Sequence, residues 1–282
     1  MANILVTGSS TGIGRACAAH LAGAGHTVFA GVRKEADGQS LSQEIGERVV
    51  PLILDVTDAG AIDRAATFIR ARVGGDGLQG LVNNAGVAMG GPLEYLPIES
   101  WRTQIEVNVI GQVAVTQAMM PLLREGNGRI VFIGSAGGRA ATPFMGPYNA
   151  SKFALVGICE ALRQELASWD MKVVLVEPGA VKTDIWDKGR SQADDLERQL
   201  GAEAVERYRP MIAAVRKLID RQDKMGVKPS RVAKVVERAL FSDDPRSRYL
   251  VGADAKIVGA LSRVLPDGAK DSILGRLSGT NT

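Results

Sequence analysis

Residues 4–14 read Ile4-Leu5-Val6-Thr7-Gly8-Ser9-Ser10-Thr11-Gly12-Ile13-Gly14, and this stretch decides the fold. A short apolar strand runs into a turn with three glycines, and the spacing of the next apolar residues predicts a helix over about 13–24. A Gly-x-x-x-Gly-x-Gly turn lets the backbone approach a phosphate closely, with helix N–H groups facing the anion. Such a turn can also be purely structural, so the assignment depends on the rest of the chain.

The rest of the chain alternates between apolar strands and helices. Strands are predicted at 27–30, 49–54, from 81, 129–133, 172–176 and 249–251, and the longest helices at 98–124 and 148–168. Strands that are apolar throughout are typical of a parallel sheet buried on both faces. We therefore predict an α/β fold: a Rossmann-type doubly wound parallel sheet of about seven strands, with helices on both faces.

We expect a single dinucleotide-binding and catalytic domain over residues 1–282, because no internal boundary interrupts this rhythm. The charge-rich region at about 182–226 is interpreted as a helical substrate lid. Residues at about 253–282 are interpreted as a C-terminal helical extension. The lid carries one apolar stripe, formed by Leu200, Ala204, Tyr208, Met211, Val215 and Leu218.

The composition narrows the function classes. With a net charge of +3 and its basic residues spread among acids, the chain is not expected to bind nucleic acid. Cys17 and Cys159 lack metal or redox spacing, and His20 and His26 are the only histidines, so we expect buried free thiols and no metal. The uncharged run 107–123 contains polar residues and predicts a buried helix. No signal peptide is recognised, so the expected location is cytoplasmic.

The end of the second predicted strand bears on the choice of cofactor. An NAD site usually places an acidic residue there, but this chain reads Ala30-Gly31-Val32-Arg33-Lys34. Val32 does not repel a 2′-phosphate, and Arg33 can bind one in bidentate fashion. The alternative is that Arg33 is a solvated loop residue. We expect NADP(H) to be preferred, with NAD(H) as the alternative.

Asp55 and Val56 follow the third strand, where the Asp55 carboxylate can accept a hydrogen bond from an adenine amino group. Asp55 can instead cap the next helix, a role that Thr57 or Asp58 would fill equally well.

Tyr148 and Lys152 stand four residues apart, on one face of a predicted helix. A phenol has an unperturbed pKa of about 10, and a cationic lysine one turn away favours the phenolate. Proton exchange with an alcohol or carbonyl then becomes feasible. By chance alone, such a pair is more often a surface pair.

Two further polar residues accompany this pair. Ser135 ends the fifth strand, where its hydroxyl can bind a substrate oxygen or serve as a turn residue or cap. Asn108 lies on an otherwise apolar helical stretch and needs a partner if it is buried. A structural water or a main-chain hydrogen bond would satisfy it.

Together these residues resemble the short-chain dehydrogenase/reductase family over roughly residues 1–185. The resemblance implies that the catalytic residues are Asn108, Ser135, Tyr148 and Lys152. Within the cofactor site, Asn83-Asn84-Ala85-Gly86 matches the motif that steadies the central sheet, and Pro178-Gly179 with Thr183 matches the segment around nicotinamide. The expected cofactor-binding residues are Gly8, Ser10, Thr11, Gly12, Ile13, Gly14, Arg33, Asp55, Val56, Asn84, Ala85, Gly86, Tyr148, Lys152, Pro178, Gly179, Val181 and Thr183.

The resemblance implies hydride transfer between NADP(H) and a secondary alcohol, ketone or aldehyde. Tyr148 is then the general acid/base, and Ser135 polarises the substrate oxygen. Asn108 holds a water that continues a proton relay through Lys152. Because Thr11 stands where some NADP-dependent members carry a basic residue, Arg33 has to discriminate between the cofactors.

The chain is similar to the branch of the family that acts on steroids, retinoids and other lipophilic alcohols. Phe144, Met145, Ile185, Trp186 and the lid stripe can wall an apolar pocket, or equally pack the core or a subunit contact. A homodimer or homotetramer is expected by resemblance. Stable membrane insertion is not expected, because the C-terminal stripe lacks a strongly charged face.

Two other function classes are weighed. A catalytically weak NADP-binding regulatory protein of the same fold would be favoured by loss of Ser135, Tyr148 or Lys152, and all three are present. A nucleotide-sugar epimerase or dehydratase uses a similar tyrosine and lysine. Such chains resemble longer relatives with a different glycine spacing and a larger C-terminal domain.

Overall fold

The computed structural model describes residues 1–183, 198 and 201–278, and its centre is a seven-stranded parallel sheet. The strand order is β3-β2-β1-β4-β5-β6-β7, as predicted for a doubly wound sheet. The strands are β1 (Asn3–Val6), β2 (Thr27–Val32), β3 (Val49–Ile53), β4 (Gly80–Asn83), β5 (Arg129–Ile133), β6 (Val173–Pro178) and β7 (Arg248–Val251). The predicted fold class is therefore confirmed.

Helices connect these strands. They are α1 (Gly12–Gly23), α2 (Glu35–Ile45), α3 (Ala59–Val73), α4 (Ile98–Ile105), α5 (Gly111–Glu125), α6 (Gly146–Glu165), α7 (Ala202–Met225), α8 (Pro229–Phe241), α9 (Ala253–Val264) and α10 (Asp267–Ser278). The sequence predicted one helix over 98–124, but a π-helical turn at Glu106–Ile110 separates α4 from α5. Such turns contain i→i+5 hydrogen bonds and are frequent at functional sites.

The two faces of the sheet bury separate apolar clusters. Along β1, Ile4 and Val6 join a cluster that also includes residues of α1 and α8. Leu5 points to the opposite face and joins a cluster with residues of α3, α5 and α6. Burying one such side chain contributes about 1.5–3 kcal/mol. This two-sided burial explains why apolar residues predominate on both faces of the strands.

The strand order reverses direction between β1 and β4. Because all strands are parallel, their carboxyl ends lie at one edge of the sheet, and a crevice opens where the order reverses. The loops after β1, β2, β4, β5 and β6 all begin at this edge. They carry many of the residues that the sequence analysis selected, whereas Asp55 and Val56 follow β3, Asn108 lies in the π-helical turn, and Tyr148 and Lys152 lie on α6.

The remaining expectations concern the thiols and the helices. Cys17 and Cys159 are buried free cysteines, as predicted. The predicted run 107–123 lies within the π-helical turn and α5, and no helix among the described residues is long and apolar enough to cross a bilayer. Helix α7 lies inside the predicted lid region. Ile185, Trp186 and Leu200 lie outside the described residues.

Candidate active site

The phosphate loop (residues 7–14) has the conformation that an anion site needs. Gly8 adopts a φ of 65°, and a Cβ at Gly14 would collide with the carbonyl oxygen of Gly8. Both positions therefore require glycine. Thr11 precedes α1 without capping it through its side chain, so the first N–H groups of the helix stay open to a ligand. The loop thus fits a dinucleotide pyrophosphate.

The segment after β4 supports the phosphate loop from below. The Asn84 amide nitrogen donates to the carbonyl oxygens of Thr7 and Gly8 at 2.9 and 3.1 Å. In return, the Thr7 hydroxyl oxygen accepts hydrogen bonds from the backbone N–H groups of Asn84 and Ala85, both at 3.0 Å. These hydrogen bonds fix the loops after β1 and β4 relative to each other.

The end of β2 carries a buried valine and an exposed arginine. Val32 is buried, whereas the side chain of Arg33 is exposed and close enough to Asp55 to act on its charge. Partial burial acts to raise the pKa of Asp55, but hydrogen bonds from Thr57 and the charge of Arg33 outweigh it and lower the pKa. Arg33 is thus available to an anion at this corner of the crevice.

The structure also distinguishes the two roles considered for Asp55. Its Oδ1 accepts hydrogen bonds from the backbone N–H and the hydroxyl of Thr57, at 2.9 and 2.8 Å. The side chain that caps α3 is Asp58, whose Oδ1 accepts from the N–H of Ala61 at 3.1 Å. Val56 is buried beside it. Asp55 is therefore not the helix cap.

A second cation lies beside the phosphate loop, and the sequence analysis missed it. Arg15, directly after the last glycine, donates to the carbonyl oxygen of Ser10 at 3.1 Å and to the Ser40 hydroxyl at 3.0 Å. It also pairs with Glu44 on α2. Its position one residue beyond the glycine motif was the available signal.

Tyr148 and Ser135 meet across two elements. Ser135 follows β5 and opens a short turn, where its Oγ accepts the N–H of Gly137 at 3.0 Å. Tyr148 lies in the first turn of α6, and both its ring and the Ser135 hydroxyl lie beside Gly137. Burial raises the pKa of the Tyr148 phenol above its ordinary value, while the neighbouring Ser135 hydroxyl acts to lower it. The phenol is therefore protonated at neutral pH.

Lys152 is almost fully buried beneath Tyr148, with 6% of its surface exposed. Its Nζ donates to the carbonyl oxygen of Ile133 at 2.8 Å and lies 5.7 Å from the centre of the Tyr148 ring. Burial lowers the pKa of Lys152 to about 8. An ammonium group has three donors, so two remain for a ligand or water.

Asn108 lies in the π-helical turn and is fully buried. Its Oδ1 accepts the N–H of Val87 at 2.8 Å, while its Nδ2 donates to the Val87 carbonyl at 3.0 Å and to the Ser151 hydroxyl at 3.1 Å. The main-chain bonds considered for a buried asparagine are thus present. The amide of Asn108 joins the loop after β4 to α6.

The nicotinamide loop (residues 178–183) starts at the end of β6. Its first part is fixed by Asp254, whose Oδ2 accepts the N–H of Ala180 at 2.7 Å. A side chain at Gly179 would collide with the Asp254 carboxylate, which explains the glycine. Asp254 lies in the first turn of α9, and no local motif marked it for the sequence analysis.

The second part of the nicotinamide loop reaches the phosphate loop. Val181 forms a bridge with Val227, and the N–H of Lys182 donates to the Val227 carbonyl at 3.0 Å. Thr183 lies directly over Gly12, where an added Cβ would be 3.1 Å from the Thr183 methyl group. Pro178 and Thr183 therefore lie at the two ends of a loop that spans the crevice.

Three aromatic rings from different segments contact one another near α6. Tyr208 of α7 makes edge contacts with Tyr95 and Phe144, with ring centres 6.0 and 5.8 Å apart. Phe144 has a φ of 67°, and its carbonyl accepts the N–H of Gly91 at 2.7 Å. Tyr95 was not selected from the sequence. Because the three segments meet here, this aromatic cluster joins α7 to the loop before Tyr148.

We expect Asp254→Ala to lower the free energy of unfolding by about 1–3 kcal/mol, because the N–H of Ala180 loses its acceptor. Denaturant unfolding measures this change. Asp267→Ala removes an acidic residue from the first turn of α10, where the side chain is 90% exposed and pairs only with Lys270 among the described contacts, so it is the matched control. Equal losses in the two variants would contradict this role of Asp254.

The chain matches known proteins over most of its length. A family profile described as short chain dehydrogenase matches residues 2–194, which contain every predicted site residue. An NADPH-dependent 3-dehydrocapnine reductase of Ornithobacterium rhinotracheale is 36% identical over 274 residues, covering 95% of this chain and 94% of the relative. Retinol dehydrogenase 16 of Mus musculus is 33% identical over 276 residues, covering 96% and 87%.

A solved structure agrees with these matches. A short chain dehydrogenase from Burkholderia cenocepacia, in complex with NADP, superposes with a TM-score of 0.73 at 25% identity and covers 97% of each chain. The family profile and the relatives together show that this chain belongs to the short-chain dehydrogenase/reductase family of oxidoreductases.

Proposed function

We propose that this chain transfers a hydride between NADP(H) and a lipophilic ketone, aldehyde or secondary alcohol, with Tyr148 as general acid/base. The observation that carries the proposal is the placement of the Ser135 hydroxyl and the Tyr148 ring side by side at Gly137, with the buried ammonium of Lys152 5.7 Å from that ring. A hydroxyl, a phenol and a cation at the carboxyl edge of a dinucleotide-type sheet are what carbonyl reduction needs.

Tyr148 and Ser135 divide the work at the substrate oxygen. In the reducing direction the nicotinamide supplies the hydride when it is bound. Ser135 still has its own hydroxyl proton, which it donates to the carbonyl oxygen of the substrate. Tyr148 then transfers its phenolic proton to that oxygen as negative charge develops there.

Lys152 supports the proton transfer from below. With a pKa of about 8, its ammonium form predominates at neutral pH, and a positive charge near the phenol stabilises the phenolate left after transfer. Its two remaining donors suit the ribose hydroxyls next to the nicotinamide ring. A lysine poised near neutrality can also return a proton to the phenolate.

In this scheme Asn108 acts through the main chain of its π-helical turn and not through its side chain. Its side-chain amide is engaged by Val87 and Ser151, so we assign the water of the proton relay to main-chain groups of the π-helical turn. A π-helical turn interrupts the regular i→i+4 bonding and so changes which carbonyls are paired. The relay through Lys152 stays a prediction.

Three observations support NADP(H) over NAD(H). Arg33 is exposed at the end of β2, and the position before it holds Val32 and not an acidic residue. Arg15 adds a guanidinium group on the other side of Ser10. The reductase of Ornithobacterium rhinotracheale is named as NADPH-dependent. We therefore retain NADP(H) as the preferred cofactor.

The aromatic cluster of Tyr95, Phe144 and Tyr208 supports a lipophilic substrate. Its rings form the part of the crevice where α7 meets the loops before α4 and α6. Relatives named for retinol and for 3-dehydrocapnine are consistent with a carbonyl or alcohol on an extended molecule. The substrate is thus proposed as a class and not as a compound.

We also propose that the chain forms a homodimer or homotetramer through the helices that carry Asn108 and Tyr148. Ile110 at the start of α5 and Phe153 on α6 are large apolar residues exposed on these helices, which supports the proposal. The cytoplasmic location stays a prediction from the sequence.

Tyr148→Phe should reduce kcat for carbonyl reduction by about 10²-fold or more, because the acid/base hydroxyl is removed. NADPH oxidation with a panel of ketones and aldehydes measures the loss. Ser151→Ala on the same helix is not a suitable control, because Ser151 bonds Asn108. Gln164→Ala, at the exposed C-terminal end of α6, is the control and should keep full activity. Undiminished turnover by Tyr148→Phe would rule out the mechanism.

Arg33→Ala should weaken NADPH binding by about ten- to a hundred-fold, since a charge-assisted hydrogen bond contributes about 1.5–3 kcal/mol. NADH binding should change little. Lys34→Ala removes the adjacent exposed cation and is the matched control. Fluorescence titration of both cofactors gives the dissociation constants. An unchanged NADPH-to-NADH ratio in Arg33→Ala would refute the cofactor preference.

A further inference from the structure

A buried carboxylate lies next to the active site without a role in the proposed chemistry. Glu177 is on β6, directly before Pro178, and its side chain has no exposed surface. Removing a carboxylate from water costs several kcal/mol unless charged partners and hydrogen bonds compensate it. The contacts of Glu177 therefore have to be specific.

Two arginines compensate this charge. Arg139 donates through Nε and Nη2 to the two carboxylate oxygens at 2.9 and 2.7 Å. Arg248 of β7 forms a second fork through the same two nitrogens, at 3.0 and 2.6 Å. Arg248 also lies 3.6 Å from Glu160 of α6. Two acids and two bases give a cluster without net charge, and every oxygen of Glu177 is satisfied.

Arg139 connects this cluster to a catalytic segment. It closes the Ser135 turn (residues 135–139), with its N–H donating to the Ala136 carbonyl at 3.0 Å. The stem of Glu177 packs against the backbone directly before that turn, where a Cβ at Gly134 would be 3.5 Å from its Cγ. The cluster thus contacts the chain on both sides of Ser135.

Helix α6 holds the opposite side of the same turn. Asn149, adjacent to Tyr148, donates to the Gly137 carbonyl at 2.9 Å. An added Cβ at Gly138 would be 2.7 Å from the carbonyl oxygen of Lys152. The Ser135 turn is therefore clamped between α6, which carries Tyr148, and β6, which ends at the nicotinamide loop.

We propose that Glu177 is a positioning residue: through Arg139 it fixes the Ser135 turn between Tyr148 and the nicotinamide loop. This inference rests on the proposed function of Tyr148 and Ser135. Buried ion pairs of this kind can often be replaced by apolar residues without loss of stability, so stability alone does not explain four charged side chains here. The requirement is geometric, because a displacement of about 1 Å at reacting groups can cost about 10²-fold in rate.

The clamp also acts on the phenol. Among the residues that the structure describes, Ser135 and the ammonium of Lys152 are the polar groups that face Tyr148, and Ser135 acts to lower the pKa of Tyr148. When the turn loosens, Ser135 moves away and the pKa of Tyr148 rises. In the pH dependence of kcat, the limb set by the Tyr148 phenol (here the phenol limb) then moves to higher pH, both for carbonyl reduction and for alcohol oxidation. Alcohol oxidation at neutral pH becomes slower.

Arg139→Lys tests the proposal because it keeps the charge and removes the planar fork. We expect kcat per NADPH-binding site to fall by about ten-fold or more, with the phenol limb displaced to higher pH and NADPH affinity nearly unchanged. Arg129→Lys is the matched control. Arg129 is a partly buried arginine of β5 that donates to the Ser242 carbonyl at 2.6 Å, at the opposite edge of the sheet. Its kcat and pH limb should stay those of the parent.

Hydrogen exchange on the cofactor-free protein gives a readout that does not depend on turnover. In Arg139→Lys, amides of the Ser135 turn should exchange faster, while β1 and β4 stay protected. Parental kcat, pH limb and exchange in Arg139→Lys would overturn the positioning role, as would an equal loss of kcat in Arg129→Lys. Full activity of Tyr148→Phe would instead overturn the proposed function. The hydrogen-exchange experiment would still test whether Arg139 holds the Ser135 turn in place.

Discussion

Parallel strands joined by right-handed crossovers must all end at the same edge of the sheet, and the rest of this molecule depends on that constraint. Gly8, Asn84 and Ser135 follow three different strands, Pro178 ends a fourth, and up to 170 residues separate them, yet they lie along one crevice. Local side chains can therefore be short. Thr7 and Asn84 join neighbouring loops with single hydrogen bonds because the sheet has already brought them within reach.

The burial that stabilises the sheet also sets the chemistry at its edge. Lys152 is placed in an apolar interior by α6, where the Ile133 carbonyl is its acceptor among the described residues, and burial lowers its pKa to about 8. The same desolvation raises the pKa of the Tyr148 phenol, while the neighbouring Ser135 acts to lower it. A surface pair with the same spacing would have neither property. The catalytic potential of the pair thus comes from its place in the core and not from its motif.

The sequence was informative where a feature depends on neighbours along the chain. Uniformly apolar strands and the glycine spacing predicted the sheet and the phosphate loop, because burial on both faces and steric closeness act on each residue directly. Helix α2 was not predicted, since Leu41 is its only large buried side chain. The π-helical turn at Asn108 was also missed, because the change from i→i+4 to i→i+5 bonding has no apolar period of its own.

Local sequence patterns could not predict hydrogen-bond and ion-pair partners that come from distant elements of the fold. Asp254 reads as an ordinary residue of a helical first turn, and only the packing of α9 on the nicotinamide loop reveals what it accepts. Glu177 looks like a polar interruption in an apolar strand, and Arg139 and Arg248 carry no motif. A buried charge in a strand is nevertheless a signal in itself, because its cost requires partners. That reasoning finds the residue from the sequence, although not the partners.

The catalytic and substrate sides of the crevice differ in how they are built. Ser135, Tyr148 and Lys152 are fixed by main-chain hydrogen bonds and by an ion-pair cluster anchored in the sheet. The aromatic cluster of Tyr95, Phe144 and Tyr208 is instead formed by two loops and the long helix α7. Because no strand of the sheet carries these rings, their replacement can change the pocket without displacing the reacting groups. Under the proposed function, reaction class and substrate choice are therefore separable, and sequence changes in the loops and α7 are expected to alter the substrate while Tyr148, Ser135 and Lys152 keep their places.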